Sequence, residues 1–335
     1  MSTPLPVIAV LGAGSWGTAL AVLIARNGFT TLLWGHDPAR MAALAHGREN
    51  ARYLPGVKFP ENLAVRDELL GAVREAAHVL VVVPSAVFRA TLEAIRPALR
   101  TDSIVSWATK GLEPGTGKLL SDVALEVLGK DHPLGVISGP TFAKEVAHGL
   151  PTAVTVAASS AGTAESIAQW LRGERVRVYT ATDMTGVELG GAVKNVLAIA
   201  TGISDGLGFG ANARAALITR GLAEMRRLTE ALGGKPETVM GLAGIGDLVL
   251  TCTDNQSRNR QVGLALGKGR SLPEILADLG QVAEGVAAAR EVQRLARREG
   301  VDMPITEQVC RVLFESVPPP VAVEALLRRE ARNEN

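Results

Sequence analysis

A glycine-rich loop close to the N-terminus constrains the fold of this chain more than any other feature. The loop reads Gly-Ala-Gly-Ser-Trp-Gly over residues 12–17, directly after the apolar run Val7–Leu11 and directly before a helical pattern. Gly12 permits a tight turn, Gly14 allows a pyrophosphate to approach the backbone, and Gly17 allows the helix to pack closely on the strand. Unpaired N–H groups at the start of the helix can then bind phosphates. The loop therefore predicts a dinucleotide-binding βαβ unit; the alternative is an ordinary tight turn.

Short apolar runs recur through the first half of the chain, separated by helical patterns. The runs of strand length are Val7–Leu11, Thr31–Trp34, Val79–Val83, Ile104–Trp107 and Leu134–Ile137. Their hydrophobicity is continuous rather than alternating, which is typical of parallel strands buried on both faces. Two further strand candidates, Ala153–Ala157 and Val176–Tyr179, flank a helix and are expected to extend the same sheet.

The pattern changes after about residue 185, where no further strand is predicted and apolar residues recur at helical spacing. The predicted fold class is therefore α/β: an N-terminal Rossmann-type doubly wound sheet followed by an all-helical C-terminal domain. We place the dinucleotide-binding domain at residues 1–186 and the substrate and catalytic domain at residues 187–335.

The composition is that of a globular protein and argues against several classes of function. The 335 residues carry a net charge of +1, so no overall field attracts nucleic acid or an acidic membrane surface. The two cysteines, Cys252 and Cys310, lack metal-ligand spacing, and we expect neither a disulfide framework nor a metal site. The N-terminus lacks the basic-then-apolar layout of a signal peptide, so we expect none. The most apolar later run, 187–203, is too short and too charged for a membrane span. We therefore expect a cytoplasmic protein with a small-molecule substrate, and we leave open whether it is a homodimer.

The loop after the second predicted strand bears on the choice of cofactor. In NAD-binding units of this kind, a carboxylate at the end of that strand binds the adenine ribose hydroxyls. Here the strand ends at Trp34 and a carboxylate appears only at Asp37, with Arg40 close by. This arrangement can accommodate a 2′-phosphate, so the sequence is compatible with NADP(H) or NAD(H). His36 is either a cofactor contact or a solvated loop side chain.

Lys194 is the strongest candidate for an acid in the helical domain. It lies in the run Leu-Gly-Gly-Ala-Val-Lys-Asn-Val, residues 189–196, and its neighbours one helical turn away are glycine, leucine and alanine. Burial lowers the pKa of an ammonium group unless a partner compensates, and such a group suits proton transfer near neutral pH. The alternative is a structural lysine that covers apolar surface with its side chain. The adjacent Asn195 can orient a carbonyl or the lysine.

Lys110 occupies a position where a cation can meet a bound cofactor. It follows the predicted strand Ile104–Trp107, and ligands of open α/β sheets bind beyond the carboxyl ends of the strands. The segment Gly-Pro-Thr-Phe-Ala-Lys, residues 139–144, follows another strand and is expected at the same edge. A loop lysine is often merely solvated, so the interpretation of Lys110 depends on this neighbourhood.

A polar stretch interrupts the helical domain at residues 251–260. Ser257 is a candidate N-cap for the helix that follows, which places Arg258 and Asn259 in its first turn. An arginine together with N–H groups at a helix start forms a site for a phosphate or a carboxylate, whereas the alternative is a capped surface helix with solvated arginines. The residues alone thus indicate hydride transfer to a small phosphorylated or carboxylated carbonyl compound.

Several segments, which together span both predicted domains, also carry a resemblance to a known family. They are Gly-Ala-Gly-Ser-Trp-Gly-Thr-Ala-Leu from Gly12, Val-Val-Val-Pro-Ser from Val81, Trp-Ala-Thr-Lys-Gly-Leu-Glu from Trp107, Ile-Ser-Gly-Pro-Thr-Phe-Ala-Lys-Glu from Ile137, Leu-Gly-Gly-Ala-Val-Lys-Asn-Val from Leu189, Gly-Phe-Gly-Ala-Asn-Ala-Arg from Gly208, Gly-Asp-Leu-Val-Leu-Thr-Cys-Thr-Asp-Asn-Gln-Ser-Arg-Asn-Arg from Gly246 and Val-Ala-Glu-Gly from Val282. In these segments the chain resembles bacterial NAD(P)-dependent glycerol-3-phosphate dehydrogenase.

The resemblance implies the reversible conversion of dihydroxyacetone phosphate to sn-glycerol 3-phosphate, which feeds glycerophospholipid synthesis. It implies that Lys194 is the general acid that protonates the carbonyl oxygen as hydride reaches C2, and the base in the reverse direction. The residues implied in substrate binding are Lys110, Gly139, Thr141, Lys194, Asp247, Ser257, Arg258 and Asn259. Those implied in cofactor binding are Gly12, Gly14, Ser15, Trp16, Gly17, His36, Lys110, Ala143, Arg258, Val282 and Glu284. The resemblance also favours phosphate over carboxylate in the anion pocket.

Two other functions stay open as alternatives. Dehydrogenases of the β-hydroxyacid and 6-phosphogluconate type also join a Rossmann domain to helices and use a helical lysine. A non-catalytic dinucleotide sensor would bind the cofactor without consuming it.

Overall fold

An eight-stranded sheet forms the first part of the structure, a computed structural model that describes residues 5–279 and 283–328. The strands are β1 (Ile8–Leu11), β2 (Thr31–Trp34), β3 (Leu63–Arg66), β4 (His78–Val81), β5 (Ile104–Trp107), β6 (Leu134–Ser138), β7 (Thr152–Ala158) and β8 (Val176–Ala181). Their order in the sheet is β3-β2-β1-β4-β5-β6-β7-β8. The order reverses at β1, where the chain crosses from β3 back to β4, and this is the doubly wound topology of a Rossmann-type sheet.

The direction of the strands changes once within this sheet. All neighbours from β3 to β6 are parallel, and β1 holds Ile8 opposite Thr31 of β2 and His78 of β4. β7 runs antiparallel to β6, with Gly135 opposite Ala158, and β8 is parallel to β7. The two added strands therefore extend the same sheet, as the sequence predicts, but in the reverse direction.

The strands predicted from continuous apolar runs are all present, with bounds that agree within two residues. β3 is the strand that the sequence analysis missed. It lies at the edge of the sheet and pairs with β2, and its residues after Leu63 are only partly buried. A half-exposed edge strand lacks the continuous hydrophobicity by which the others were recognised.

Helices pack on this sheet and explain why its strands are apolar on both faces. They are α1 (Ser15–Arg26), α2 (Pro38–Gly47), α3 (Leu69–Glu75), α4 (Phe88–Ile95), α5 (Leu120–Leu128), α6 (Ala143–Ala147) and α7 (Ala161–Leu171). All four residues of β1 are fully buried, and α1 is buried continuously from Gly17 to Ala25. The core therefore lies directly beneath the glycine loop that joins β1 to α1.

No strand follows β8 in the described residues, which form helices and their connections from there on, as predicted. The helices are α8 (Met184–Gly206), α9 (Ala211–Ala231), α10 (Pro236–Val239), α11 (Asp247–Thr253), α12 (Arg258–Gly267), α13 (Leu272–Leu279), α14 (Glu284–Arg298), α15 (Pro304–Phe314) and α16 (Pro319–Leu327). A π-helical turn, Leu242–Gly246, runs directly into α11. Such turns are frequent at functional sites.

Glycines allow α8 and α12 to approach each other backbone to backbone. A Cβ atom at Gly202 of α8 would lie 2.3 Å from the carbonyl oxygen of Arg260, and one at Gly263 of α12 would lie 2.1 Å from that of Ile199. Gly206 and Gly267 make the same kind of contact one turn further along. Any larger residue would separate the two helices, so this close packing depends on glycine at these positions.

Contacts between Cα atoms divide the chain into two units. The first contains residues 1–113 and 119–188, and the second contains residues 114–118 and 189–335. The assignment of a cofactor role to one predicted domain and a substrate role to the other stays a prediction. In the described part of the chain, no helix combines the length and the hydropathy needed to cross a membrane.

Candidate active site

The three glycines of the nucleotide loop have the three different environments that a dinucleotide site requires. Gly12 has φ +124°, and a Cβ atom there would lie 2.3 Å from the Val82 carbonyl oxygen. A Cβ atom at Gly17 would lie 1.8 Å from the carbonyl oxygen of Gly12, so the helix can pack against the turn because this residue is glycine. A Cβ atom at Gly14, by contrast, would have no heavy atom within 4 Å. This open side of the loop leaves room for a pyrophosphate, and the loop fits a dinucleotide.

The start of α1 is arranged to receive an anion. The helix begins at Ser15, and its N-cap residue Gly14 has no side chain with which to cap the first N–H groups. The loop is held from the other side at Ala13, whose carbonyl oxygen accepts hydrogen bonds from Arg40 Nη2 (2.6 Å) and Asn50 Nδ2 (3.1 Å). The Nε1 atom of Trp16 is buried and has no hydrogen-bond partner among the described residues.

The loop after β2 does not place a carboxylate at the end of the strand. Asp37 acts as the N-cap of α2, because its Oδ1 atom accepts a hydrogen bond from Arg40 N at 3.1 Å. His36 is exposed beside it. The guanidinium group of Arg40 lies over the ring of Tyr53, with its Cζ atom 4.1 Å from the ring centroid. Arg40, which also donates to Ala13 O of the glycine loop, is therefore a cation in contact with that loop.

Three of the predicted substrate residues meet at the carboxyl ends of β5 and β6. Lys110 Nζ donates to the carbonyl oxygen of Gly139 at 3.4 Å, and Thr141 Oγ1 donates to the same oxygen at 3.2 Å. Gly139 has φ +148°, and a Cβ atom there would lie 3.0 Å from the Ala153 carbonyl oxygen. Ala143, predicted to contact the cofactor, is the first residue of α6 and follows shortly after.

In the helical unit, Lys194 is buried and held by two side chains of α11. Its side chain is 8% exposed and that of Asp247 is fully buried. Lys194 Nζ donates to Asp247 Oδ1 at 2.7 Å and to Thr251 Oγ1 at 2.8 Å, and Thr251 Oγ1 lies 3.2 Å from the same carboxylate oxygen. Thr251 was not among the predicted site residues. Its position four residues after Asp247, on the same face of a helix, is the sequence signal that could have identified it.

A glycine of α8 makes this arrangement possible. A Cβ atom at Gly190 would lie 2.3 Å from the carbonyl oxygen of Ala243, within the π-helical turn that precedes α11. Because the turn approaches α8 so closely, α11 starts with Asp247 beside Lys194. Burial alone would favour a neutral amine, whereas the Asp247 carboxylate at 2.7 Å favours the ammonium form.

Cys252 lies near this pair but is not equipped for catalysis. It is a free and buried thiol, and burial raises its pKa to about 12. A thiol in that state is not a nucleophile near neutral pH. Among residues 5–279 and 283–328, no cluster of three His, Cys, Asp or Glu side chains forms a candidate metal site.

The start of α12 has the N-cap that the sequence predicts, whereas anion binding there stays a prediction. Ser257 is the N-cap, and its Oγ atom accepts a hydrogen bond from Arg260 N at 3.2 Å, so Arg258 and Asn259 occupy the first turn. The side chain of Asn259 is already bound within the unit: its Oδ1 atom accepts from Gly285 N at 3.0 Å. If Asn259 contacts an anion, it does so through its backbone N–H group, because its side chain is used within the unit.

The second contact of Asn259 joins this helix start to the lysine helix. Its Nδ2 atom donates to Asn195 Oδ1 at 2.9 Å, and Asn195 Nδ2 donates to Gly191 O at 3.3 Å. Asn195 thus orients Asn259 in this structure. Glu284 begins α14 directly before Gly285, while Val282 lies outside the described residues.

The glycine loop on a doubly wound sheet and the buried lysine in a helical unit define the class of Rossmann-fold dehydrogenases. Two family profiles match the chain: the N-terminal part of NAD-dependent glycerol-3-phosphate dehydrogenase over residues 7–164, and the C-terminal part over residues 183–324. The chain therefore belongs to the NAD-dependent glycerol-3-phosphate dehydrogenase family, a family of oxidoreductases.

Individual relatives match along the whole chain. The glycerol-3-phosphate dehydrogenase [NAD(P)+] of Edwardsiella ictaluri is 57% identical over 100% of this chain and 99% of its own length. The protein of the same name from Shewanella baltica is 56% identical over 98% of this chain and 97% of its own length. The crystal structure of glycerol-3-phosphate dehydrogenase from Coxiella burnetii is similar with a TM-score of 0.94 and 48% identity, covering 97% of this chain and 99% of that chain.

Proposed function

We propose that this chain catalyses the reversible NAD(P)H-dependent reduction of dihydroxyacetone phosphate to sn-glycerol 3-phosphate, with Lys194 as the general acid. The observation that carries the proposal is the buried ammonium group of Lys194, held 2.7 Å from the Asp247 carboxylate in the helical unit of a chain of this family. The names of the relatives supply the substrate pair.

The chemistry needs a hydride at C2 and a proton at the carbonyl oxygen. Reduced nicotinamide supplies the hydride when it is bound. Lys194 donates the proton from Nζ as the C2 oxygen gains charge, and the resulting neutral amine takes the proton back when glycerol 3-phosphate is oxidised. Asp247 and Thr251 hold Nζ in place, and Asp247 stabilises the ammonium form before transfer. We assign Lys110, Gly139 and Thr141 to the substrate site because their motifs resemble those of the family and because the three residues meet at the Gly139 carbonyl oxygen.

The start of α12 is the proposed phosphate site. Its N–H groups carry the positive end of the helix dipole, and Arg258 adds a full charge, which together suit a dianion. Ser257 and Asn259 belong to the same turn and complete the site.

The cofactor site is proposed around the glycine loop. Open space at Gly14 supports pyrophosphate binding at the start of α1. The residues assigned to this site are Gly12, Gly14, Ser15, Trp16, Gly17, His36, Lys110, Ala143, Arg258, Val282 and Glu284. Arg40, next to the loop after β2, is a cation that can pair with a 2′-phosphate, so we include both NADP(H) and NAD(H).

We further propose that the sn-glycerol 3-phosphate formed feeds glycerophospholipid synthesis and that the protein is cytoplasmic. The buried free thiols of Cys252 and Cys310 fit a reducing compartment. A homodimer stays a prediction.

A substrate panel tests the proposal. We expect consumption of NADPH or NADH with dihydroxyacetone phosphate and little with oxo acids of the β-hydroxyacid dehydrogenase type. Initial rates with the two cofactors at one substrate concentration then give the cofactor preference. No turnover of dihydroxyacetone phosphate contradicts the proposal, and cofactor binding without consumption of any substrate would indicate a sensor.

A further inference from the structure

One motif of the helical unit has no role in the function proposed above. The segment Gly-Phe-Gly-Ala-Asn-Ala-Arg, residues 208–214, ends in the first turn of α9. Gly208 has φ +83°, which turns the chain between α8 and α9. Arg214 Nη1 then donates to Asp205 Oδ2, near the end of α8, at 2.9 Å. The motif therefore directs an arginine toward a carboxylate that is itself nearly buried.

Asp205 has a second arginine partner in the helix that starts with the proposed phosphate site. Arg260 Nη2 donates to the same Oδ2 atom at 2.5 Å. Arg260 is 7% exposed, and its other nitrogen atoms are also bound: Nε to Cys252 O at 3.1 Å and Nη1 to Asn255 Oδ1. All the nitrogen atoms of this guanidinium group are thus used inside the protein. Arg260 is not itself placed to bind a ligand.

The partners of Arg260 are the segments that frame the start of α12. Cys252 O belongs to the last turn of α11, where carbonyl groups lack helical partners. Asn255 lies in the short connection between α11 and α12. One side chain therefore joins the end of the helix that carries Asp247 to the turn before Ser257. The close glycine packing of α8 on α12 brings Asp205 within reach of Arg260.

We propose that Arg260, Asp205 and Arg214 form a positioning cluster that holds the start of α12 in the geometry that binds the substrate phosphate. The inference rests on the proposed function, and it adds residues that act through the phosphate site without touching the substrate. The cluster needs the planar guanidinium group of Arg260 as well as its charge, because its three nitrogen atoms donate hydrogen bonds in three directions. Asp205 is needed because it separates two guanidinium groups that would otherwise repel each other.

The test compares Arg260→Lys with Arg226→Lys as a matched control. Arg226 lies in the same unit, and its ion pair with Glu230 is exposed, so we expect its replacement to change nothing. Arg260→Lys keeps the positive charge but replaces the planar guanidinium group with a single ammonium group. We expect the KM for dihydroxyacetone phosphate and the inhibition constant of inorganic phosphate to rise together by about tenfold to a hundredfold. The kcat should stay within about threefold of the unmodified enzyme. The KM for the cofactor should rise less than the KM for dihydroxyacetone phosphate, because Arg258 is one of many residues assigned to the cofactor site.

Asp205→Asn is the second variant and reports on the cluster if Arg260→Lys fails to fold. It should raise the same two constants, and the double variant should be little worse than the more impaired single one, since both act on one cluster. Unchanged constants for phosphate and substrate overturn the inference. A parallel loss of kcat, cofactor binding and thermal stability also overturns it, because that result indicates a general structural role.

The two proposals can fail separately. If the unmodified enzyme does not reduce dihydroxyacetone phosphate, the proposed function is wrong. Calorimetric titration with inorganic phosphate still examines the cluster in that case. A dissociation constant that is the same in the unmodified protein and in Arg260→Lys would then contradict the positioning role.

Discussion

The nucleotide loop of the first unit and the lysine site of the second are built in opposite ways. The loop works through backbone groups of six consecutive residues, and its glycines matter because side chains are missing. The lysine site works through side chains, and Lys194 finds Asp247 and Thr251 at separations of 53 and 57 residues. A site made of backbone is encoded locally, whereas a site made of side chains depends on how helices pack.

Replacement of Lys194 by alanine should have the largest effect. Loss of a general acid lowers kcat by about two to four orders of magnitude. The dissociation constant of NADPH or NADH, measured by cofactor fluorescence, should stay unchanged if the nucleotide loop is independent of the lysine site. Near-normal turnover would remove Lys194 from its proposed role.

Alanine replacements of Gly17 and Gly14 distinguish a glycine needed for packing from a glycine needed for the approach of the cofactor. Gly17→Ala places a methyl group against the Gly12 carbonyl oxygen, and we expect a loss of about 1 to 3 kcal/mol of stability together with weaker cofactor binding. Gly14→Ala meets no atom within 4 Å. It should leave the Tm unchanged and weaken cofactor binding by about tenfold or more, because the methyl group occupies the pyrophosphate side of the loop.

Equal behaviour of the two variants would contradict this distinction between their environments. A fall in Tm for Gly14→Ala would show that residue 14 is packed, and unchanged cofactor affinity would show that the ligand does not approach there.

Thr251→Val removes one of the side-chain contacts of Lys194 while preserving its shape. We expect kcat to fall by about tenfold to a hundredfold, since hydrogen bonds to charged groups are worth roughly 1.5 to 3 kcal/mol. Thr251→Ser keeps the hydroxyl group and should retain most of the activity. If valine and serine behave alike, the hydroxyl group does not hold Lys194.

The smallest effect concerns a buried carboxyl group in each unit. Glu188 Oε1 accepts hydrogen bonds from Trp107 Nε1 (3.0 Å) and Ser121 N (3.0 Å), whereas Oε2 accepts one from the Ser121 hydroxyl group (2.5 Å), which can also act as an acceptor. Burial raises the pKa of Glu188 from 4.5 to about 7. The folded state then binds more protons than the unfolded state, so this contribution to stability is complete below about pH 4.5 and is lost as the pH rises through about 7. Glu188→Gln mimics the protonated acid, and it should be more stable than the unmodified protein near pH 8 by about 1 to 3 kcal/mol.

Denaturant unfolding at about pH 5 and about pH 8 measures this difference. Glu224 of the helical unit supplies the contrast. Its pKa is also raised to about 7 by burial, but it accepts from Ile305 N, Thr306 N and the Thr306 hydroxyl group. Each Glu224 oxygen accepts from a backbone N–H group, so the amide NH₂ group of Glu224→Gln would face a donor in either orientation. We therefore expect this variant to be less stable than the unmodified protein at both pH values. The same pH dependence in Glu188→Gln and the unmodified protein would contradict the raised pKa.

Much of the fold could be read from the sequence because its signals are local. Continuous apolar runs identified the strands buried on both faces, and Ser257 was recognised as an N-cap from its place before an apolar helix. β3 was missed because an edge strand is only half buried. The reversal of β7 was not predicted either, since strand direction depends on pairing with β6 and leaves no pattern in the strand itself.

The sequence by itself determined the glycine loop, the helix that follows it and the burial of Lys194 in an apolar helix. Backbone preference and periodicity act over a few residues and can be read directly. The tertiary structure alone decided that Thr251 is a partner of Lys194, that the Asn259 side chain is used internally, and that Arg260 supports the turn rather than a ligand. These contacts depend on glycines that let α8 meet α12 and the turn before α11. Their effect becomes visible only when distant segments pack together.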